Sequence, residues 1–424
     1  MLVAAWCSPL FSADTGTPAI SGHGHMRSGV AHKAPASGTE AASQSEGSLH
    51  AVALRPSWYP RFSWDTAPLY QMFGSPHVLT DEQVNTIAAT SGFICIEKAH
   101  GLKTLGAAEL GAKHEIARFK QANPQTRALF YFNAARAWPF TTFSRGLRFG
   151  AIRDELKPLI ARDPQTGELA HKDQIYAFNV LNPEFRSWWT ETVAKGVKET
   201  GADGLFVDQM HGNVWCHPGK RAEVAAAQAE MMRMARAAIG DEKILLLNNG
   251  AAIPALFAVG DAFMLEHYSP SLISKEAIVN DWALMKKIAA AGKIAIWRIG
   301  VEHQPEGSPI AGLPGETRQQ REKRLEGVSQ RQLDFYLAAF LIGAQEYSYF
   351  QYGWGWRLET GPLIDYPALT KPVGKPLGEF TRLDPEGWRF TREFEQVRVS
   401  VDLEHRTGHL DWNPAPPASQ SSGP

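Results

Sequence analysis

From Arg61 onward, short apolar runs alternate with longer amphipathic stretches. The runs Phe62–Asp65, Gly92–Lys98, Arg127–Asn133, Gly204–Asp208, Ile244–Asn249, Ala262–His267, Ile294–Arg298 and Glu346–Gln351 are rich in aromatic and aliphatic residues, and they predict eight strands. Several show no inside/outside alternation and stay apolar until the last residue or two, as parallel strands buried on both faces do. Between them lie helices with good end signals. Asn182-Pro183-Glu184 supplies an N-cap, a first-turn proline and an early acid, and Gly201 closes that helix. Ser274 opens a second helix that runs through Trp282 and Met285 to Gly292, and Ala222–Ile239 is a third, ended by Gly240. Eight such βα units most simply make an α/β fold of the (β/α)8 TIM-barrel type. A doubly wound open sheet competes, but no GxGxxG turn and no Walker loop is present.

The flanks differ from this pattern. Residues 1–55 are rich in Ala, Ser, Gly and Thr and poor in large apolar side chains, which predicts a flexible leader. Its first seven residues are apolar without a preceding positive region. They are consistent with the remnant of an export signal, so a periplasmic or extracellular location is the expectation, with the cytoplasm as the alternative. The barrel is expected over 56–373 and a small β appendage over 374–413, where Val399, Val401 and Leu403 alternate with polar residues; 414–424 reads as a disordered tail. The stretch Ala134–Ala177 is far longer than a usual βα connection and predicts a lid or binding loop.

Composition narrows the class of function. Of 424 residues 44% are hydrophobic, enough for a large core, and the net charge of −1 gives no sign of the basic face that nucleic acid requires. No apolar run approaches a membrane span. Three cysteines without zinc spacing imply no structural metal, and no organic cofactor motif is present. Nothing in the sequence speaks to oligomeric state.

In a barrel the chemistry sits at the C-terminal strand ends. The predicted ends carry Asp65, Glu97 with Lys98, Asn133, Asp208, Asn248 with Asn249, Glu266 with His267, Arg298 and Gln351. The sharpest element is Gly201-Ala202-Asp203-Gly204-Leu205-Phe206-Val207-Asp208, an apolar strand that delivers one carboxylate; Asp261–His267 repeats the design two strands later with Glu266. Two carboxylates across one pocket are what glycoside hydrolysis needs, one to donate a proton and one to attack the sugar or activate water. Asp208 is read as nucleophile or base and Glu266 as acid/base, with exchanged roles left open. Asp65, Glu97, Asn133, Asn248, Asn249, His267, Arg298 and Gln351 are read as substrate contacts. So are Trp138, Tyr268 and Trp354, since aromatic faces stack on sugar rings, and Tyr347–Trp356 reads as a binding platform. Each of these residues also has a structural reading, as a cap, an ion pair or a core aromatic. Lys98 raises a second chemistry, a Schiff-base aldolase or lyase, and a carbohydrate-binding barrel without catalysis is the third possibility.

The segment Gly201–Asp208, the preceding Phe178-Asn179-Val180-Leu181-Asn182-Pro183-Glu184-Phe185-Arg186-Ser187-Trp188-Trp189, and Gly374-Lys375-Pro376-Leu377-Gly378 with Arg392-Glu393-Phe394 resemble the glycoside-hydrolase barrels grouped as hypothetical glycosyl hydrolase family 15. That group is similar in turn to the wider α-galactosidase and α-amylase-like barrels. The resemblance covers roughly residues 60–405. It implies a TIM barrel with an Asp nucleophile after the fourth strand, at Asp208. By likeness to the α-galactosidase branch it implies an acid/base after the sixth strand, at Glu266. The expected partner is an oligo- or polysaccharide.

Overall fold

The computed structural model describes residues 55–267, 273–301, 313–354, 358 and 361–412. The expected leader (but for Arg55), the tail over 414–424, Tyr268 and Trp356 lie outside the described residues. Eight parallel strands form the central sheet in chain order: β1 (Gln71–Phe73), β2 (Phe93–Ile96), β3 (Arg127–Asn133), β4 (Gly204–Asp208), β5 (Ile244–Asn248), β6 (Ala262–His267), β7 (Ile294–Gly300) and β8 (Ser348–Gly353). The sheet closes on itself where Leu69 bridges Phe350: the Tyr70 amide donates to Phe350 O at 3.0 Å and the Phe350 amide to Pro68 O at 2.7 Å. With helices between the strands, this is a (β/α)8 barrel.

One predicted strand is absent. Phe62–Asp65 is not in the sheet; its carbonyls at Trp64 and Asp65 accept from the amides of Gly374 and Val373 instead. The run is apolar because Phe62 and Trp64 pack in the core, not because it pairs in the barrel. The true first strand lies six residues later.

Side-chain period along the strands sorts the barrel into two layers. Tyr70, Met72, Phe93, Cys95, Leu129, Tyr131, Phe206, Ile244, Leu246, Ala262, Met264, Ile294, Ile296 and Tyr349 form one apolar cluster, the barrel interior. Their immediate neighbours, such as Phe130, Leu205, Leu247, Phe263 and Trp297, belong to the larger core beneath the helices. Alternation of this kind is what a strand imposes on any sequence. One step further along the interior series come Gly74, Glu97, Asn133, Asp208, Asn248, Glu266, Arg298 and Gln351. Apolar layers thus fill the barrel from below, and the next layer is polar.

The helices follow the predicted signals. Helix α1 (Asp81–Thr90) has a capping box between Thr80 and Gln83; α2 spans Ala108–Ala122. Helix α3 (Pro183–Thr200) is capped by Asn182 and closed by Gly201 at φ 70°, a left-handed position that favours glycine. Helices α4 (Arg221–Ile239), α5 (Lys275–Ala290, capped by Ser274) and α6 (Arg318–Gly343) complete the outer ring of long helices.

After the barrel, strands β9 (Thr381–Arg382), β10 (Arg389–Glu393), β11 (Val397–Asp402) and β12 (Thr407–Trp412) form an antiparallel sheet. Val397, Val399 and Val401 are buried, and α6 packs against β11 and β12. The buried Arg392 guanidinium donates to the carbonyls of Leu341, Ile342 and Ala344 at 3.0, 3.1 and 2.5 Å, which satisfies the open C-terminal end of α6.

Candidate active site

The polar layer converges on one carboxylate. Asp208 Oδ2 accepts from the Tyr131 hydroxyl at 2.5 Å and from Asn133 Nδ2 at 3.0 Å; Oδ1 accepts from Asn248 Nδ2 at 3.0 Å and from the Gln209 amide at 2.8 Å. Four donors from β3, β4 and β5 fix its orientation. Asn133 itself is held by strand register opposite Asp208, and the Trp189 indole of α3 donates to its carbonyl at 2.9 Å. Asn133 Oδ1 also accepts the amides of Ala135 and Arg136, which turns the chain sharply out of β3.

Asn248 Nδ2 reaches a second carboxylate, Glu266 Oε2, at 2.7 Å. One amide group therefore donates to both acids, and the two carboxylates stand no further apart at their nearest oxygens than two hydrogen bonds laid end to end. The Glu266 carboxyl is held above the usual glutamate range, first by burial and then by the negative charge of Asp208, against opposing effects of the Asn248 hydrogen bond and of Arg298 and Lys98. Arg298 lies opposite Glu266 in register and is fully buried, and its guanidinium donates to Gly353 O at 3.3 Å; Gln351 lies on its other side and donates to Met72 O at 2.8 Å. Two carboxylates placed this way can divide proton donation and nucleophilic or base chemistry between them.

On the opposite wall Glu97 is buried and ion-paired with Lys98. The Lys98 ammonium lies 5.4 Å from the ring centres of both Tyr131 and Trp138, and Trp138 stacks on Phe140. Together with Asn133 and Arg136 these residues line a pocket beside Asp208.

Of the other predicted contacts, several stand elsewhere. Asp65 is exposed, on the segment before β1, away from the strand ends. Asn249 is exposed at φ 54°, and its Oδ1 accepts the Glu266 amide at 3.0 Å, so it braces the strand end from outside. His267, next to Glu266, points outward by strand alternation; its Nε2 meets Asp281 Oδ2 on α5 at 2.5 Å, where the Trp297 indole also donates at 2.8 Å. Trp354 is buried against α6 and donates to Leu325 O at 2.8 Å. Tyr352 likewise turns outward to Ser329 O, and Tyr349 lies in the barrel interior, so Tyr347–Trp354 is a strand with its flanks and not an exposed platform. Tyr268 lies outside the described residues. Among the described residues no group of three His, Cys, Asp or Glu is arranged to hold a metal, and no helix is long and apolar enough to cross a membrane.

Other residues gained a place that the sequence did not give them. Tyr131, two residues before the end of β3, is a hydrogen-bond donor to Asp208. The loop after β4 has Gln209, Gly212 and Asn213 at positive φ. Asn213, 1% exposed, clamps it to Ala135 O at 2.7 Å and Phe178 O at 3.1 Å. Cys216 packs with Ala161, Ala170 and Ala177 of the long 134–177 excursion. Between these two anchors Trp215 is 45% exposed.

Residues 120–398 match the family described as "Hypothetical glycosyl hydrolase family 15". Among solved structures, the glycoside hydrolase domain of PelA from Pseudomonas aeruginosa is 13% identical (TM-score 0.42), covering 62% of this chain and 90% of that one. Ega3 of Aspergillus fumigatus, in complex with galactosamine, is 13% identical (TM-score 0.41), covering 73% and 99%. The maltogenic α-amylase AmyB from Thermotoga neapolitana is 12% identical (TM-score 0.47), covering 80% and 86%. No curated relative matches the chain.

Proposed function

The chain belongs to hypothetical glycosyl hydrolase family 15, and from that premise we propose that it hydrolyses O-glycosidic bonds of an oligo- or polysaccharide with retention of configuration. Asp208 is the nucleophile and Glu266 the acid/base. The observation that carries this reading is the single Asn248 amide donating to both carboxylates. Retaining enzymes keep their two carboxyl groups about 5–5.5 Å apart, whereas inverting enzymes leave roughly 6.5–9.5 Å for a water between them. A shared amide favours the short spacing. Role assignment follows from environment: the raised Glu266 carboxyl suits proton donation, and the four-donor cradle of Asp208 suits an oriented attacking oxygen.

In the first half-reaction an Asp208 oxygen bonds to the anomeric carbon as the glycosidic C–O bond breaks and Glu266 gives its proton to the leaving oxygen. In the second, water bonds to the same carbon, the ester to Asp208 breaks, and Glu266 takes the water's proton. Glu97, Lys98, Asn133, Trp138, Arg298 and Gln351 supply hydrogen bonds and a stacking wall around the sugar. A Schiff-base role for Lys98 is disfavoured, because that chemistry needs a neutral amine while Lys98 pairs with Glu97 and faces two aromatic rings, both of which favour the cation.

The test is reducing-sugar release across a broad glycan panel by the wild type and Asp208→Asn, with the anomer of the first product followed by NMR. The expected result is release with the substrate's configuration, lost in the variant. Equal release by both proteins would overturn the assignment of Asp208. Glycan binding without release by either would identify a carbohydrate-binding barrel.

A further inference from the structure

We propose that Asn248 supports the switch of Glu266 from acid to base within one catalytic cycle: its hydrogen bond, the same in both halves, holds Glu266 as a carboxylate once esterification has removed the opposing charge of Asp208. The inference rests on the hydrolase reading above and assigns a role within it that neither carboxylate can perform alone.

Asn248 is buried, 4% exposed, at the end of β5, between the strands that carry the two acids. Its Nδ2 donates to Asp208 Oδ1 at 3.0 Å and to Glu266 Oε2 at 2.7 Å, so both amide protons are committed. Its Oδ1 is buried and has no hydrogen-bond partner among the described residues. Reversing the amide would satisfy nothing and would turn an oxygen towards two acidic side chains, so electrostatics fixes the orientation.

The charged and titratable groups that bear on Glu266 come from every side of the barrel mouth: Asp208 on β4, Arg298 on β7, Lys98 after β2, and Tyr70 below. Before attack, Asp208 carries its charge and opposes a second one on Glu266, which keeps the proton to be donated. Once Asp208 is esterified that opposition is gone, while the Asn248 hydrogen bond to Oε2, the nearer of its two, remains with Arg298 and Lys98. Hydrogen bonding to the charged form favours that form. The proton given to the leaving group in the first half is therefore not recaptured before water arrives, and it returns to Glu266 from that water as the ester breaks. Without Asn248 the first half keeps its acid and three of the four donors to Asp208, while the second half loses much of its base.

The experiment uses 2,4-dinitrophenyl glycosides, whose leaving group needs no proton, so that the first half is insensitive to Glu266. The sugar is the one that the full-length wild type cleaves fastest. Asn248→Ala is expected to lower kcat about tenfold or more, the scale of a lost hydrogen bond to a charged group. It should also show a burst of dinitrophenolate near one equivalent and accumulate a glycosyl adduct on Asp208 by mass spectrometry. Azide, which attacks without a general base, should restore turnover and release a glycosyl azide. Asn248→Ser keeps one donor and should fall between the two, and it carries the test if the alanine variant does not fold. Loss of activity without a burst and without azide rescue, in a folded variant, would overturn the switch and leave Asn248 a structural residue. A wild type that forms no adduct and inverts its product would overturn the retaining hydrolase reading itself.

Discussion

Gly74 and Glu97 occupy the same interior level on adjacent strand ends, and the missing side chain of the first is what admits the second. A Cβ on Gly74 would stand 2.9 Å from Glu97 Cβ and 3.0 Å from Oε2. The Glu97 amide is already committed to Phe73 O at 2.9 Å, so the backbone has little room to yield. Gly74→Ala should displace the Glu97–Lys98 pair and lower kcat/KM about 10- to 100-fold, the scale of a misplacement of order 1 Å. Thermal stability should also fall, since overpacking costs roughly 1–3 kcal/mol, and full activity in the folded alanine variant would mean that Glu97 does not touch the substrate.

Glu266 places a pH-dependent cost on the fold. Its carboxyl is raised in the folded state by burial and by Asp208, so the stability it contributes is fully present below the ordinary glutamate pKa and is lost as pH rises through the folded value. Glu266→Gln removes the charge. Thermal melts should put this variant a few degrees above the wild type at pH 7, with the gap closing as the buffer approaches pH 4. A variant less stable than the wild type at pH 7 would contradict the direction of the shift.

Trp215 is an indole left in solvent between two fixed anchors, on the loop that leaves Asp208. Stacking on an aromatic face contributes roughly 0.5–1.5 kcal/mol beyond buried area. Trp215→Ala should therefore raise KM about 3- to 10-fold for long oligosaccharides, with kcat/KM for an aryl monosaccharide unchanged. An equal effect on both substrates would remove Trp215 from the sugar path.

Helix α3 approaches β3 closely at Gly196, where a Cβ would lie 2.3 Å from the Phe130 ring. Alanine gains up to about 1 kcal/mol in helix propensity over glycine, but overpacking a buried site costs roughly 1–3 kcal/mol. The second effect is the larger, so Gly196→Ala should lower the urea midpoint without changing the slope of the transition.

Much of the fold was legible because most barrel strands announce themselves. Arg127–Asn133, Gly204–Asp208 and Ala262–His267 match their predicted bounds residue for residue, since each is apolar until a polar end that points into the mouth. The first strand was not legible. Phe62–Asp65 and the Tyr70–Phe73 segment that holds β1 carry two aromatic residues each, and only barrel closure through Leu69 and Phe350 tells them apart. At the site, Asp208, Asn248 and Glu266 lie together as strand ends read in sequence imply. Their neighbours His267 and Asn249 fall outside, because a strand turns successive side chains to opposite faces and nearness to a strand end does not say which face a residue takes. Trp354 and Tyr352 illustrate the same limit: an aromatic run looks identical whether it faces a sugar or a helix. Tyr131 and Gly74 could have been found by carrying the period of two along each strand to its end.

The clasp that Arg392 makes on α6 bears on how this protein can be divided. Burial lowers the guanidinium to about 10, and it spends its donors on the carbonyls that end α6. Trp282 of α5 is sandwiched in the same way against Phe380 and Phe390. Two helices of the barrel therefore finish their packing on residues that come after it in the chain. Cut at residue 373, the barrel would be an unfinished object rather than a smaller enzyme, with a raw helix terminus and an uncovered tryptophan. The barrel mouth and the terminal sheet therefore go together as one piece, and a transplant of the proposed site to another protein would have to carry both.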